Sequence, residues 1–216
     1  MTKIKLCGLK RIEDITVANE VKPDYIGFVF AKKSRRYVSE DTAALLRENL
    51  DPKIKAVGVF VDEDSGYITR LVERGIIDMV QLHGSEDDEY IERLRQSLGL
   101  KKAGKPEDAV IIRAYRISSQ DDVKAAERSP ADIVLLDSGM GSGMTFDWNE
   151  AAGIDRPFIL AGGLDCETVV SAIGKLSPYA VDVSSGIETQ GVKDPARMRE
   201  FVKRVRTCDM KREDKI

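Results

Sequence analysis

Eight short runs in which nearly every side chain is apolar recur along the chain, at residues 4–7, 25–30, 54–61, 79–83, 110–115, 133–137, 158–161 and 180–184. They are rich in Val, Ile and Phe. Several lack the polar alternation of a strand with one wet face, which predicts β-strands covered on both sides. The segments between them switch to helical spacing. Tyr90, Ile91 and Leu94 form one apolar stripe, and Met198, Phe201, Val202 and Val205 form another. Polar punctuation marks where these helices start. Ser39 precedes Glu40 and Asp41, and Ser85 precedes Glu86, Asp87 and Asp88. Each reads as an N-cap followed by carboxylates suited to the positive end of the helix dipole. Asp194-Pro195 reads as a cap followed by proline in the first turn.

Strand starts recur roughly every 20–30 residues, one βα unit each. Eight alternations fit a single-domain α/β fold, a closed (β/α)8 TIM barrel of parallel strands, better than an open doubly wound sheet. The first turn, Cys7-Gly8-Leu9-Lys10, also lacks the G-x-G-x-x-G of a dinucleotide-binding fold. The polar stretch 99–108 is too short to be a second domain. Residues 1–208 are therefore read as the barrel, and the charged tail 209–216 is expected to fray.

Composition narrows the partners. A length of 216 residues suffices for one substantial core and lies near the lower end for an eight-unit barrel. The formal net charge is −3, with both signs spread along the chain, which offers no electrostatic footprint for nucleic acid or an anionic membrane. No apolar run approaches the ~20 residues of a bilayer span. Met1-Thr2-Lys3-Ile4 runs straight into a strand, without signal-peptide architecture. Cys7, Cys166 and Cys208 are odd in number, far apart and outside any C-x-x-C pair. A disulfide framework or structural zinc site is not expected, and a reducing cytoplasm fits.

In a parallel barrel the chemistry gathers where the strands end. Cys7 closes the first strand, Ser34-Arg35-Arg36-Tyr37 follows the second, Gln81 and His83 close the fourth, and Asp137 closes the sixth. Gly162-Gly163 follows strand seven, and Ser184-Ser185-Gly186 ends strand eight. Paired turns after the last two strands suit a phosphate, because glycine lets backbone N–H groups approach the oxygens and serine adds a hydroxyl. Each residue also has a plainer reading. Cys7 fits a buried apolar thiol, Asp137 a cap on the glycine-rich loop, Arg36 a solvated charge and His83 a satisfied core imidazole. Cys166 and Cys208 read as structural, Phe146 and Trp148 as helix-start packing, and the charge runs 86–89 and 211–215 as solvated surface.

Taken together, Lys5-Leu6-Cys7-Gly8, Ser34-Arg35-Arg36-Tyr37, Gln81-Leu82-His83-Gly84, Leu135-Leu136-Asp137-Ser138, Thr145-Phe146-Asp147-Trp148, Leu160-Ala161-Gly162-Gly163-Leu164 and 182–188 resemble, in order, the motifs of the phosphoribosylanthranilate isomerase family of tryptophan biosynthesis. The resemblance runs from Lys3 to about Val205. It implies a cofactor-free Amadori rearrangement of N-(5-phosphoribosyl)anthranilate to 1-(2-carboxyphenylamino)-1-deoxyribulose 5-phosphate. Cys7 then matches the general base and Asp137 the general acid. Arg36 matches the residue that holds the anthranilate carboxylate, while Gly163, Ser185 and Gly186, with Gly162 and Ser184 beside them, match the phosphate cradle. Asp182 and His83 are further candidates to line the substrate pocket. Members are monomers or homodimers.

The chain departs from the family pattern in three places: Lys10 stands where threonine is expected, the loop 139–143 is slightly short, and Cys166 replaces a proline or polar residue. The nearest rival, the isomerase of histidine biosynthesis, carries aspartate where this chain has Cys7, and phosphate motifs in both half-barrels. A non-catalytic phosphate-binding barrel and a redox sensor built on Cys7 are the alternatives of a different class.

Overall fold

The computed structural model describes residues 1–103, 105–108, 110–137 and 153–213. Eight parallel strands close into a barrel in sequence order: β1 (Lys3–Cys7), β2 (Tyr25–Val29), β3 (Lys55–Phe60), β4 (Met79–Leu82), β5 (Ile111–Arg116), β6 (Ile133–Asp137), β7 (Phe158–Ala161) and β8 (Ala180–Val183). Each predicted run is one of these strands, with ends that differ by no more than a residue or two. Helices α1 (Ile12–Val21), α2 (Glu40–Glu48), α3 (Ser65–Glu73), α4 (Asp88–Ser97), α5 (Gln120–Arg128), α6 (Val169–Leu176) and α7 (Pro195–Glu213) run between and after the strands. Among the described residues, no helix is long and apolar enough to cross a membrane.

Alternation along the strands sorts side chains into two cores. Outward residues such as Ile4, Leu6, Ile26, Phe28 and Phe60 meet the helices. Inward residues, including Tyr25, Val57, Met79, Ile112, Ile133 and Ile159, fill the barrel. Above them Cys7, Val29 and Val59 form the uppermost layer. The β1–β8 seam sets Lys5 opposite Asp182, so a charged pair lies within a largely apolar interior.

Helix starts follow the local chemistry, with one revision. The Ser39 hydroxyl caps α2 by accepting from Thr42 N, and the Asp194 carboxylate accepts from Ala196 N and Arg197 N at the head of α7. The cap of α4 is Asp87, not Ser85. Glu86 is not part of a solvated run: it is buried, accepts from Asp62 N and Gly84 N, and pairs with Arg113 at 2.6 Å. Lys10, which stands in place of threonine, does not leave the head of α1 open, because the Asp14 carboxylate accepts from Lys10 N and Arg11 N.

The tail also differs from expectation. α7 continues to Glu213, and Asp209 is buried, accepting from Thr2 N at 2.6 Å and Thr2 Oγ1 at 2.8 Å. A carboxylate that engages two donors just before the first strand anchors the start of the segment expected to fray, of which 214–216 lie outside the described residues.

The same end of the barrel, where the strands begin, has a similar fastening under β5 and β6. Asp132 accepts from Arg95 Nη1 (2.7 Å), Ala103 N (3.1 Å), Val110 N (3.0 Å) and Ile111 N (2.9 Å), tying α4 and the polar stretch 99–108 to β5. Burial alone would raise its carboxyl, but the backbone donors and Arg95 hold it below its ordinary value. A lowered folded-state value contributes stability above the unfolded pKa, and that contribution is lost as pH falls through the folded one. Asp132→Ala is expected to cost about 3 kcal/mol in urea unfolding near pH 7, and less in acid. An equal loss at both pH values would contradict this account.

Candidate active site

A cavity of about 740 Å³ opens at the carboxyl ends of the strands, within the size range of small-molecule sites. Cys7, Arg36, His83, Asp137, Gly162, Gly163, Asp182, Ser184 and Ser185 all line it. Gly186 does not. Its Cβ would fall 2.0 Å from Leu164 O, so it is the point where the loops after β7 and β8 touch, bridged as Asp165–Gly186. Phe146, Trp148 and the loop 139–143 lie outside the described residues.

Two glycines shape the ground around Cys7. A Cβ at Gly27 of β2 would sit 2.8 Å from Cys7 Sγ, so the missing side chain makes room for the thiol. Gly8 has φ +79°, and a Cβ there would reach 2.4 Å from Arg36 Cδ. The Arg36 stem therefore lies directly over a backbone position that only glycine occupies without strain.

A polar belt joins this corner to the end of the barrel. After β8 the short hairpin of β9 (Glu188–Thr189) and β10 (Val192–Lys193) turns back over the site. Glu188 receives Arg36 Nε at 2.6 Å, Arg36 Nη2 at 2.9 Å and Lys193 Nζ at 2.8 Å, with Arg35 Nη2 at 3.1 Å outside them. Burial pushes the Glu188 carboxyl up, but the hydrogen bonds from Arg36 and Lys193 prevail and hold it at about 2. Burial conversely lowers the Lys193 ammonium, against the pull of Glu188. Lys193 Nζ also donates to Ser184 O at 2.8 Å, and Ser184 Oγ donates to Cys7 O at 3.1 Å.

On another part of the rim, His83 Nε2 lies 3.3 Å from Asp137 Oδ2, and Gln81 Nε2 lies 3.2 Å from His83 Nδ1. His83 is thus a pocket residue and not a core imidazole. Beneath the mouth, the fully buried Lys5 ammonium meets Asp182 Oδ1 at 3.1 Å. Gly162 and Gly163 both have positive φ, +87° and +64°, so the turn after β7 needs glycine. Cys166 and Cys208 are half-buried and away from the cavity lining.

Sequence reasoning did not single out Lys5, Glu188 or Lys193. Lys5 carried a readable signal, since a lysine two places before Cys7 must share its inward face. Glu188 and Lys193 did not, because their meaning arises only when the hairpin folds back.

The family profile of N-(5'-phosphoribosyl)anthranilate isomerase matches residues 4–204. The chain belongs to the phosphoribosylanthranilate isomerase family. The phosphoribosylanthranilate isomerase of Acetivibrio thermocellus is 43% identical, over 97% of this chain and 98% of that one. The Clostridium acetobutylicum isomerase is 41% identical over 95% and 98%. The crystal structure of the Thermotoga maritima isomerase matches with a TM-score of 0.83 at 34% identity, covering 96% of this chain and 100% of that one. Another phosphoribosylanthranilate isomerase structure holds reduced 1-(o-carboxyphenylamino)-1-deoxyribulose 5-phosphate and matches with a TM-score of 0.81 at 33% identity, with the same coverage.

Glu188→Gln is expected to lower stability by about 2–3 kcal/mol, since it weakens the partner of the buried Lys193 ammonium. It should also raise the KM for substrate by freeing the Arg36 fork. Thermal melts and steady-state kinetics check both; an unchanged melting temperature would show that the contacts to Ser184 suffice to hold the Lys193 ammonium.

Proposed function

We propose that Cys7 and Asp137 are the base and acid of the isomerisation of N-(5'-phosphoribosyl)anthranilate, an aldose–ketose conversion in tryptophan biosynthesis. The observation that carries this is their convergence on one cavity, with His83 against Asp137 and the Gly162-Gly163 and Ser184-Ser185 turns on the same rim.

Asp137 donates a proton to the ring oxygen, the furanose opens and the nitrogen lone pair forms the iminium. Cys7 thiolate then takes the C2 proton. The C–H electron pair forms the C1=C2 bond, and the iminium π pair returns to nitrogen. The enaminol tautomerises to the aminoketone, so the overall reaction consumes no proton and calls for no electron acceptor. General acid–base help of this kind contributes about 10²–10⁴-fold per group.

Arg36 receives the anthranilate carboxylate. Glu188 grips its Nε and Nη2 edge, which fixes the plane of the fork, and a fixed planar fork suits a carboxylate. Gly162, Gly163, Ser184 and Ser185 receive the phosphate, with Gly186 holding the two loops together. Asp182 and His83 orient the sugar hydroxyls and the amine.

The assigned residues all belong to one chain, which suits a monomer or a homodimer; the Thermotoga maritima isomerase is described as dimeric. A base that must remain a free thiol suits the cytoplasm.

Loss of phosphoribosylanthranilate fluorescence tests the assignment. Cys7→Ala and Asp137→Asn are each expected to lower kcat by at least about 10²-fold while still binding a phosphorylated product analogue. Arg36→Ala should mainly raise KM. Near-normal turnover by Cys7→Ala would remove it as the base.

A further inference from the structure

Lys5 has no exposed surface, and its ammonium lies 3.1 Å from Asp182 Oδ1. A buried ion pair gains little over apolar side chains of similar size, and the neighbouring inward positions are filled by Tyr25, Val57, Met79, Ile112, Ile133 and Ile159. One carboxylate contact also leaves an ammonium with further donors to place. Lys5 and Cys7 leave β1 on the same inward face, in successive layers, and Asp182, the partner of that ammonium, lines the same cavity as Cys7.

We propose that Lys5 is a positioning residue that opposes the effect of burial on Cys7 and so favours its thiolate for proton abstraction, with Asp182 setting how much of its charge the sulfur feels. This rests on the assignment of Cys7 as base. It gives the buried pair a task that packing does not explain.

The charged surroundings of Cys7 support the assignment. Burial is the largest influence and leaves the thiol raised, Lys5 is the strongest influence in the opposite direction, and Asp182 raises it while Lys193 lowers it. Lys193 is engaged with Glu188 and Ser184, and Arg36 with Glu188, so neither cation on the rim is as fully directed at the sulfur. His83 and Asp137 line the same cavity and pair with each other.

The test uses the full chain in a Cys166→Ser/Cys208→Ser background, where Cys7 is the sole thiol. The pH dependence of its alkylation by iodoacetamide gives the thiol midpoint without substrate. Lys5→Met is expected to raise that midpoint by about one unit or more, a tenfold loss of thiolate at any pH below it. In the same variant kcat near neutral pH should fall in step, while KM changes by less than about threefold. Lys5→Met/Asp182→Asn, which leaves neither charge unpaired, covers the case in which the single variant does not fold. Its midpoint is also expected above that of the parent, by less.

A midpoint within about 0.3 unit of the parent, in whichever variant folds, overturns the role of Lys5. The two levels separate cleanly. An unchanged midpoint beside an inactive Cys7→Ala removes Lys5 alone, whereas an active Cys7→Ala removes the base assignment and this inference with it.

Discussion

The seam between β1 and β8 joins residues 177 positions apart in sequence, and the upper barrel is organised by what meets there. Lys3 to Leu6 pair in register with Ala180 to Val183. The same seam sets Lys5 against Asp182 and brings the Ser184 hydroxyl to the Cys7 carbonyl. An open sheet would leave the cysteine on one edge and the serine turn on the other, with water between them. Closure makes them neighbours and leaves the ends of all eight strands around one cavity.

The electrostatics of that cavity follow from the seam. Cations approach Cys7 from beneath, through Lys5, and from the rim, through Lys193 and Arg36. Glu188 binds both rim cations, and its carboxyl, held at about 2, keeps its charge across the ordinary pH range. The rim is therefore a fixed scaffold, built before any ligand arrives, in which the arginine plane is already set. The thiol instead sits where burial and a nearby ammonium oppose one another, so its ionisation depends on its neighbours.

The strands were legible because a strand buried on both faces leaves an almost continuous apolar run, and the caps at Ser39 and Asp194 were legible because their partners lie within three residues. Ser85 misled because Asp87, two places later, takes the cap while Glu86 turns inward to Arg113. The tail misled for a different reason: it read as a charged segment that frays, but Asp209 at its start is held by Thr2, 207 positions away. The cavity residues could be read from their place at strand ends. The pairs that govern their charge could not, because Lys5–Asp182 and Arg36–Glu188–Lys193 exist only after long-range closure, and periodicity along one strand carries no trace of the strand beside it.

The contact between Asp209 and Thr2 also has a consequence for how the molecule is made. The first strand leaves the ribosome long before its β8 neighbour, 177 positions later, and the anchoring carboxylate of α7, 207 positions after Thr2. At about 5–20 residues per second, β1 waits roughly ten to forty seconds for a lasting partner on that side. During that interval the apolar face of Ile4 and Leu6 and the charge of Lys5 lack the neighbours that later cover them. Through that interval the first strand is open to misassembly and to chaperone capture, and α7 acts as the latch that ends that exposure.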